Sequence, residues 1–206
     1  MIANKLTPEL VREYHGDLLT FVEARLITPE DLDGKVAEPL LDFLDELEIV
    51  NVNEFLETTA VTVPFSFPLG ETPPVEREVF IYLPWEPGET KNFSLASQVE
   101  VLSHEGQHAV RSSNNIHWLT EYVKSFVFRT QEERIAFQTS LEMCKLLHGK
   151  IPPLKRLAGN LTKYFLRPTD EEVLIAGLAA VIPPIEQGCQ ATEIGKWAAQ
   201  WFGERV

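Results

Sequence analysis

Residues 99–113, VEVLSHEGQHAVRSS, contain the feature that most restricts how this chain can fold. His104 and His108 are four residues apart with Glu105 between them, so on an α-helix both imidazoles lie on one face, one turn apart. The helix must be half buried if these polar groups are to face an internal cavity. Five apolar residues in this segment and just before it provide a surface that can pack: Leu95, Val99, Leu102, Ala109 and Val110.

The spacing of these three residues favours a metal site. Two imidazoles in an i, i+4 pair can share one metal ion. Glu105 projects toward the same cavity, where a general base must stand to take a proton from metal-activated water. His15 and His148 lie outside any ligand spacing. The alternative interpretation is a pair of surface histidines beside a solvated glutamate.

The residues before the motif predict helices followed by a small sheet. The pairs Thr7-Pro8 and Thr28-Pro29 are typical helix starts, and the apolar spacing after them predicts helices over about 7–48. The stretches TTAVTVPFSFPL and REVFIYLPW alternate with period two, which predicts an antiparallel strand pair at about 58–85. Prolines at 64, 68 and 84 place one or both strands near a sheet edge, because proline cannot donate to the ladder.

The rest of the chain has a helical pattern. Ser94 is the predicted N-cap of a helix that runs to about residue 111, and a second helical region covers about 116–147. Thr169 is the predicted cap of a later helix that Pro183-Pro184 ends. A last helix is predicted at roughly 185–202.

These elements predict one α+β domain over residues 1–206. The domain is mostly helical, with a small antiparallel or mixed sheet before the motif helix. The helices of the candidate metal site lie at about 94–148, and the C-terminal helices at about 154–203.

Composition excludes several classes of partner. The net charge of −13 repels nucleic acid and anionic membranes, so neither is an expected partner. The sequence contains neither an apolar run of transmembrane length nor a recognisable signal peptide. Cys144 and Cys189 lack the spacing of a disulfide framework, which favours a reducing compartment and a cytoplasmic location.

Three segments together resemble a known family. HEGQH is followed by the aromatic-rich WLTEYVKSF and then by ERIAF, which has the form E-x-x-A-aromatic. In this order they resemble the gluzincins, the thermolysin-like zinc peptidases, and in particular the minimal gluzincin domains of bacteria and phages. The resemblance covers about residues 76–140.

The resemblance implies a zincin-like fold and a zinc-dependent metallopeptidase that hydrolyses peptide or protein substrates. It assigns His104, His108 and Glu133 as ligands of Zn²⁺, and Glu105 as general base and proton shuttle. It also implies that the strand REVFIYLPW is an edge along which an extended substrate lies.

Several points stay open at the level of sequence. Glu132 is a rival third ligand, followed by Glu121, because helical periodicity places Glu132 as well as Glu133 on the face of Ala136. The residue that polarises the scissile carbonyl has no motif, and the candidates for it are Tyr122, Arg129 and Tyr164. The alternative function is a non-catalytic structural or interaction protein on a zincin scaffold, for example a phage component. The oligomeric state is not predicted.

Overall fold

The computed structural model describes residues 1–32, 38–47, 49, 51–66, 77–113, 115, 117–155, 157 and 166–206. Tyr164, one of the candidates for carbonyl polarisation, lies outside the described residues. Within these ranges, helices α1 to α8 cover Pro8–Phe21, Glu38–Glu46, Val52–Thr58, Leu95–Ser112, Trp118–Lys124, Phe126–His148, Pro168–Glu186 and Glu193–Arg205. Strands β1 to β3 cover Ala24–Ile27, Val61–Ser66 and Arg77–Tyr82. Short 3₁₀ turns cover Ile2–Lys5 and Pro29–Asp31.

The described residues are mostly helical and contain a small mixed sheet, so the expected α+β class is confirmed at this level. The strand order is β1-β3-β2. Strands β2 and β3 are antiparallel, as predicted, with Val61 opposite Tyr82 and Ser66 opposite Arg77. Pro64 is accommodated because β2 has a strand on one side only.

The expectation that REVFIYLPW is a sheet edge is wrong. This segment supplies β3, the central strand, which pairs in parallel with β1 on its other side. Strand β1 was not predicted, because four residues are too few to show a strand periodicity. The chain reverses from α1 into β1 at Glu23, whose φ of 54° is unusual for a residue other than glycine. The edge strand beside the motif helix is β2.

Two helix starts agree with the sequence. Ser94 caps α4, since its Oγ accepts from the backbone N–H of Ser97 at 3.1 Å. Thr7 caps α1 in the same way, accepting from Leu10 at 3.2 Å.

Three predictions about the later helices are wrong. Helix α7 begins at Pro168 after Arg167, so Thr169 is not its cap. The helix also continues through Pro183-Pro184 to Glu186, and the carbonyls of these prolines accept bonds from Gln187 and Cys189. The last helix therefore begins at Glu193, where Thr192 caps it, rather than near 185.

The sheet separates two apolar clusters. Val79 and Ile81 of β3 face the side where α1, α4 and α8 pack. Phe80 and Tyr82 alternate to the opposite side and meet α2, α3 and α5. A third cluster joins α6 to α7. The motif helix α4 is thus covered by β2, α1, α6 and α8, which gives its polar face a buried position.

Two further features are the state of the cysteines and the apolar character of the helices. Neither Cys144 nor Cys189 forms a disulfide, as predicted. No helix in the described ranges has the length and apolar character that crossing a membrane requires.

Candidate metal centre

The two motif histidines are buried on one face of α4. Each is about 4% exposed, and their ring centroids are 5.1 Å apart. Glu105 between them is also buried. The alternative of surface histidines beside a solvated glutamate is therefore wrong.

Helix α6 brings Glu133 against both histidines. The Nε2 atom of His104 lies 3.6 Å from Glu133 Oε2, and the Nε2 atom of His108 lies 3.3 Å from Glu133 Oε1. Each of the three residues has one potential ligand atom within 4.8 Å of the potential ligand atoms of the other two. In a tetrahedral zinc site with bonds of about 2.0–2.1 Å, neighbouring ligand atoms are about 3.3 Å apart. The triad therefore has the spacing that a single metal ion requires.

Among the described residues, the carboxylate of Glu133 forms its ion pairs with the two histidines. Its side chain is fully buried, and its salt bridges are those to His104 and His108. Burial disfavours the carboxylate, but the two imidazoles beside it, His108 foremost, hold the pKa of Glu133 well below its usual range. Burial likewise opposes protonation of His108, yet the Glu133 carboxylate raises the pKa of that imidazole.

The hydrogen bonding of the triad also fits a metal. Among the described residues, neither Glu133 Oε2 nor His108 Nδ1 has a hydrogen-bond partner, although both atoms are buried. His104 Nδ1 lies 3.1 Å from Ser140 Oγ, and Ser140 lies 3.3 Å from the carbonyl of Ala136, to which it donates. In this chain of bonds Nδ1 of His104 donates to Ser140, which leaves the lone pair of Nε2 directed at Glu133. A buried carboxylate with two imidazole nitrogens facing it suits a divalent cation.

The rival ligands are occupied elsewhere. Glu132 is buried, but its carboxylate accepts from Arg111 at 2.6 and 3.0 Å and from the indole N–H of Trp118 at 3.0 Å. Glu121 is exposed and accepts from Asn115 at 2.8 Å. Of the three candidates from sequence, only Glu133 contacts the histidines.

Tyr122, one of the three candidates for carbonyl polarisation, lies at the site. Its hydroxyl donates a hydrogen bond to Glu133 Oε1. The ring stacks on Trp118 at 4.7 Å between centroids, and the Trp118 and His108 rings meet edge to face with centroids 5.7 Å apart. Arg129 donates to the backbone carbonyls of Tyr122 and Val123. Tyr122 thus holds the third ligand, and Arg129 supports the turn that carries Tyr122.

A break in the predicted helical region makes this contact. The sequence predicts one region over about 116–147, but the structure divides it at Ser125, which caps α6 by accepting from Phe128 at 3.2 Å. In a continuous helix Tyr122 and Glu133 would be about 16 Å apart along the axis. The turn at Ser125 folds α5 back onto α6, and no strong breaker in the sequence marks it.

Glu105 is oriented by the edge strand. Thr62 of β2 donates its hydroxyl proton to Glu105, with Oγ1 2.7 Å from Oε2 and 2.9 Å from the backbone oxygen. The other carboxylate oxygen, Oε1, forms no hydrogen bond within the described residues. Thr62 therefore fixes one carboxylate oxygen of Glu105, the candidate general base. The second oxygen of Glu105 is available for proton transfer. No sequence signal connects Thr62 to Glu105, because the contact depends on how the sheet packs on α4.

A cleft passes the triad on both sides. Thr59, Ala60 and Glu105 line both of its ends. The end beside His108 has a volume of about 40 Å³, and the end beside His104 has a volume of about 230 Å³. Thr59 and Ala60 immediately precede β2, so the segment that leads into this strand forms one wall of each end.

The other histidines are separate from the triad. His148 pairs with Glu100 at 2.8 Å, His117 is exposed at the start of α5, and His15 is buried in α1. None of them belongs to the described metal-ligand cluster.

Comparison with known proteins gives no relative: no family model, curated protein or solved structure matches the chain.

Proposed function

We propose that this chain is a zinc-dependent metallopeptidase of the gluzincin type. The observation that carries the proposal is the buried triad of His104, His108 and Glu133. Glu105 lies in the same cleft, on the helix that carries both histidines. Two imidazoles and a carboxylate form a ligand set of catalytic zinc sites, which leave one position open. When bound, the zinc supplies a Lewis acid that polarises a carbonyl and lowers the pKa of water to about 7.

The residues of the chain account for the remaining chemistry. Glu105 accepts the proton of the attacking water through Oε1 and then passes it to the leaving amine. Thr62 holds the opposite carboxylate oxygen, so the base keeps one orientation during both transfers. Tyr122 holds Glu133 and keeps the third ligand aligned with the histidines.

A peptide is the substrate that suits the cleft. Strand β2 has an open edge among the described strands; its first residues, Val61 and Thr62, line the end beside His108, and Thr59 and Ala60, which lead into it, line both ends. An extended peptide can align along such an edge with its scissile carbonyl at the triad. This assigns to β2 the role that the sequence suggested for β3.

The proposal is tested by comparing the wild type with Glu105→Gln. We expect about one zinc per wild-type chain, cleavage of a peptide library detected by mass spectrometry, and loss of cleavage after zinc is removed by a chelator. Glu105→Gln keeps the shape but not the proton acceptor, so turnover should fall by about 10²- to 10⁴-fold or more with zinc content unchanged.

Glu121→Gln is the matched control, because Glu121 is exposed and outside the triad. It should retain both zinc and turnover. Equal turnover of Glu105→Gln and wild type would remove Glu105 from the role of base. Zinc binding without any cleavage would instead support a structural protein on this scaffold.

A further inference from the structure

A surface groove between α1 and α8 is lined by aromatic rings. Its volume of about 340 Å³ lies within the range of roughly 300–1,000 Å³ that is usual for ligand sites. Phe21 stacks on Trp197 with ring centroids 5.5 Å apart, and the centroid of Trp197 lies 6.4 Å from that of Trp201. Phe21 is 47% exposed, so an aromatic face is open to an incoming group. The groove contains no residue of the triad and is separate from the candidate metal centre.

The charged groups of the groove are mainly acidic. Asp17 and Glu204 line it together with one cation, Arg205. The Arg205 guanidinium forms salt bridges with Glu13 at 2.9 Å, Asp17 at 3.3 Å and Glu204 at 3.4 Å. These three carboxylates outnumber the one guanidinium, so the four groups together carry a charge of −2. The groove therefore attracts a further cation.

Arg205 shows how a cation is held in this groove. Its guanidinium carbon lies 4.5 Å from the centre of the Trp201 ring, and carboxylates contact the guanidinium nitrogens. An aromatic face with carboxylates beside it recognises guanidinium and ammonium groups. Phe21 and Trp197 offer a second aromatic surface in the same groove. Asp17 uses only Oδ2 for its bonds from Trp201 and Arg205, and its Oδ1 accepts no bond within the described residues.

The length of the groove favours a peptide over a small cation. Its lining on α8 extends from Trp197 to Arg205, which is about 12 Å along the helix axis. An extended chain advances by about 3.3 Å per residue, so three or four residues span this distance. We propose that the groove binds a short basic segment of a partner protein. An arginine or lysine of that segment lies on Phe21 and Trp197, with its charge at Asp17.

The proposal is tested with two peptides that differ in charge alone. The probes are acetyl-Gly-Arg-Gly-Arg-Gly-amide and the same peptide with citrulline, a neutral isostere, in place of arginine. The arginine peptide should bind about tenfold tighter at low salt, because a cation–π contact and an exposed ion pair together contribute roughly that factor. The preference should decrease as salt is added.

The indole N–H signals of the ¹⁵N-labelled chain locate the binding. Those of Trp197 and Trp201 should shift on addition of the arginine peptide. Trp118 beside the triad and Trp85 in the core are controls within the same chain, and their signals should stay in place. Glu105→Gln should bind the peptide with wild-type affinity, because the groove uses no residue of the metal site.

Variants at the groove test its two components separately. Asp17→Asn keeps an acceptor for the Trp201 indole but loses the charge, and Phe21→Ala removes the exposed ring. Each should weaken binding of the arginine peptide by roughly three- to tenfold, and Phe21→Tyr should restore it. Glu172→Gln removes one charge from the exposed surface of α7 and should bind as the wild type does. Far-ultraviolet circular dichroism checks that each variant is folded.

Removal of the internal cation should have the opposite effect. Arg205→Gln frees the Trp201 face and the carboxylates, so it should tighten binding by roughly two- to fivefold. A purely structural role of Arg205 does not produce such a gain.

The outcomes are independent of the proposed function. Equal affinity for the two peptides, or an unchanged affinity in both Asp17→Asn and Phe21→Ala, would overturn the groove assignment and leave the metal site in place. Spermine that binds as tightly as the arginine peptide would overturn the assignment to a peptide. A chain that binds the peptide as described but holds no zinc would support the groove and overturn the proposed peptidase.

Discussion

At the scale of single residues, the two adjacent glutamates of α6 differ in environment. Consecutive helical residues point about 100° apart, so only one of the pair can face the histidines. Glu133 faces them, and Glu132 is bound by Arg111 and Trp118. The sequence could not separate these two from periodicity, since both share a face with Ala136. The resemblance to the E-x-x-A pattern favoured Glu133, and in the structure Glu133 is the one of the two that faces the histidines.

Separate alanine variants should distinguish the two residues. We expect Glu133→Ala to lower zinc affinity by more than 100-fold. Mutating a residue that hydrogen-bonds to a metal ligand lowers metal affinity by about 10- to 100-fold, and removing the ligand itself should cost more. Glu132→Ala should change zinc affinity by less than 10-fold but destabilise the fold by about 2 kcal/mol, because it leaves a buried indole N–H unpaired. Zinc titration and urea denaturation give the two quantities. The assignment fails if Glu132→Ala is the variant that loses the metal.

The site residues that escaped sequence analysis come from other elements. His104, Glu105 and His108 were visible because their relation is local to one helix turn. Thr62 and Ser140 act through contacts between elements, which depend on the sheet order and on how α6 packs on α4. Tyr122 was a candidate for carbonyl polarisation, but its bond to Glu133 depends on the turn at Ser125 and was not predicted. Threonine, tyrosine and serine are common on helices and strands, so residue type alone does not mark them.

At the scale of elements, the N-terminus of α8 is fixed to both helices of the site. Glu142 of α6 is fully buried and accepts from Thr192 Oγ1 at 2.5 Å and from the N–H of Ala191 at 3.0 Å. Gln107, inside the motif on α4, accepts from the N–H of Ile194 at 3.3 Å. A carboxylate at a helix N-terminus is favoured by the exposed N–H groups and the helix dipole. Helix α8 therefore keeps α4 and α6 in register behind the triad.

Removing this carboxylate should destabilise the protein strongly. Glu142→Ala leaves several buried donors unsatisfied, and we expect a loss of about 3 kcal/mol in the free energy of unfolding. Glu172→Ala is the matched control, since Glu172 is exposed on α7 and should cost less than about 0.5 kcal/mol. Urea denaturation at neutral pH measures both. Equal midpoints for the two variants would show that α8 does not depend on Glu142.

Helix boundaries were predictable where a local side chain defines them. The caps Thr7 and Ser94 act on backbone groups three residues away, and the sequence contains that information. The bounds of α7 were missed because Pro183 and Pro184 weaken a helix without ending it when packing holds the surrounding turns. In the same way, β1 exists because β3 offers it a partner, which its four residues do not reveal.

At the scale of the whole molecule, the apolar pattern predicted the fold class but not the arrangement of its layers. The alternation of β3 showed that its two faces differ, yet not that α1, α4 and α8 cover one face while α2, α3 and α5 cover the other. Those choices are made by long-range packing. Their consequence is that polar residues on α1 and α4 become buried together, and His15 is one of them.

His15 should make stability depend on pH. The side chain is about 1% exposed, and burial lowers the pKa of His15 from 6.5 to about 4. Between these two values the unfolded chain binds a proton that the folded chain does not. The contribution of His15 is therefore complete above pH 6.5 and is lost as the pH falls toward 4, by roughly 3 kcal/mol in total.

The difference between His15→Leu and wild type isolates this effect. Urea denaturation at pH 7.0 and 4.5, in the presence of a chelator, gives the change in unfolding free energy for each chain. The remaining carboxylates and histidines titrate in both chains, so their contributions cancel in the comparison. We expect the acid-induced loss to be smaller in His15→Leu by roughly 2–3 kcal/mol. His117→Gln, which changes an exposed histidine, should follow the wild type. If His15→Leu and wild type lose the same stability on acidification, His15 is not held neutral by the packing of α1 against α4.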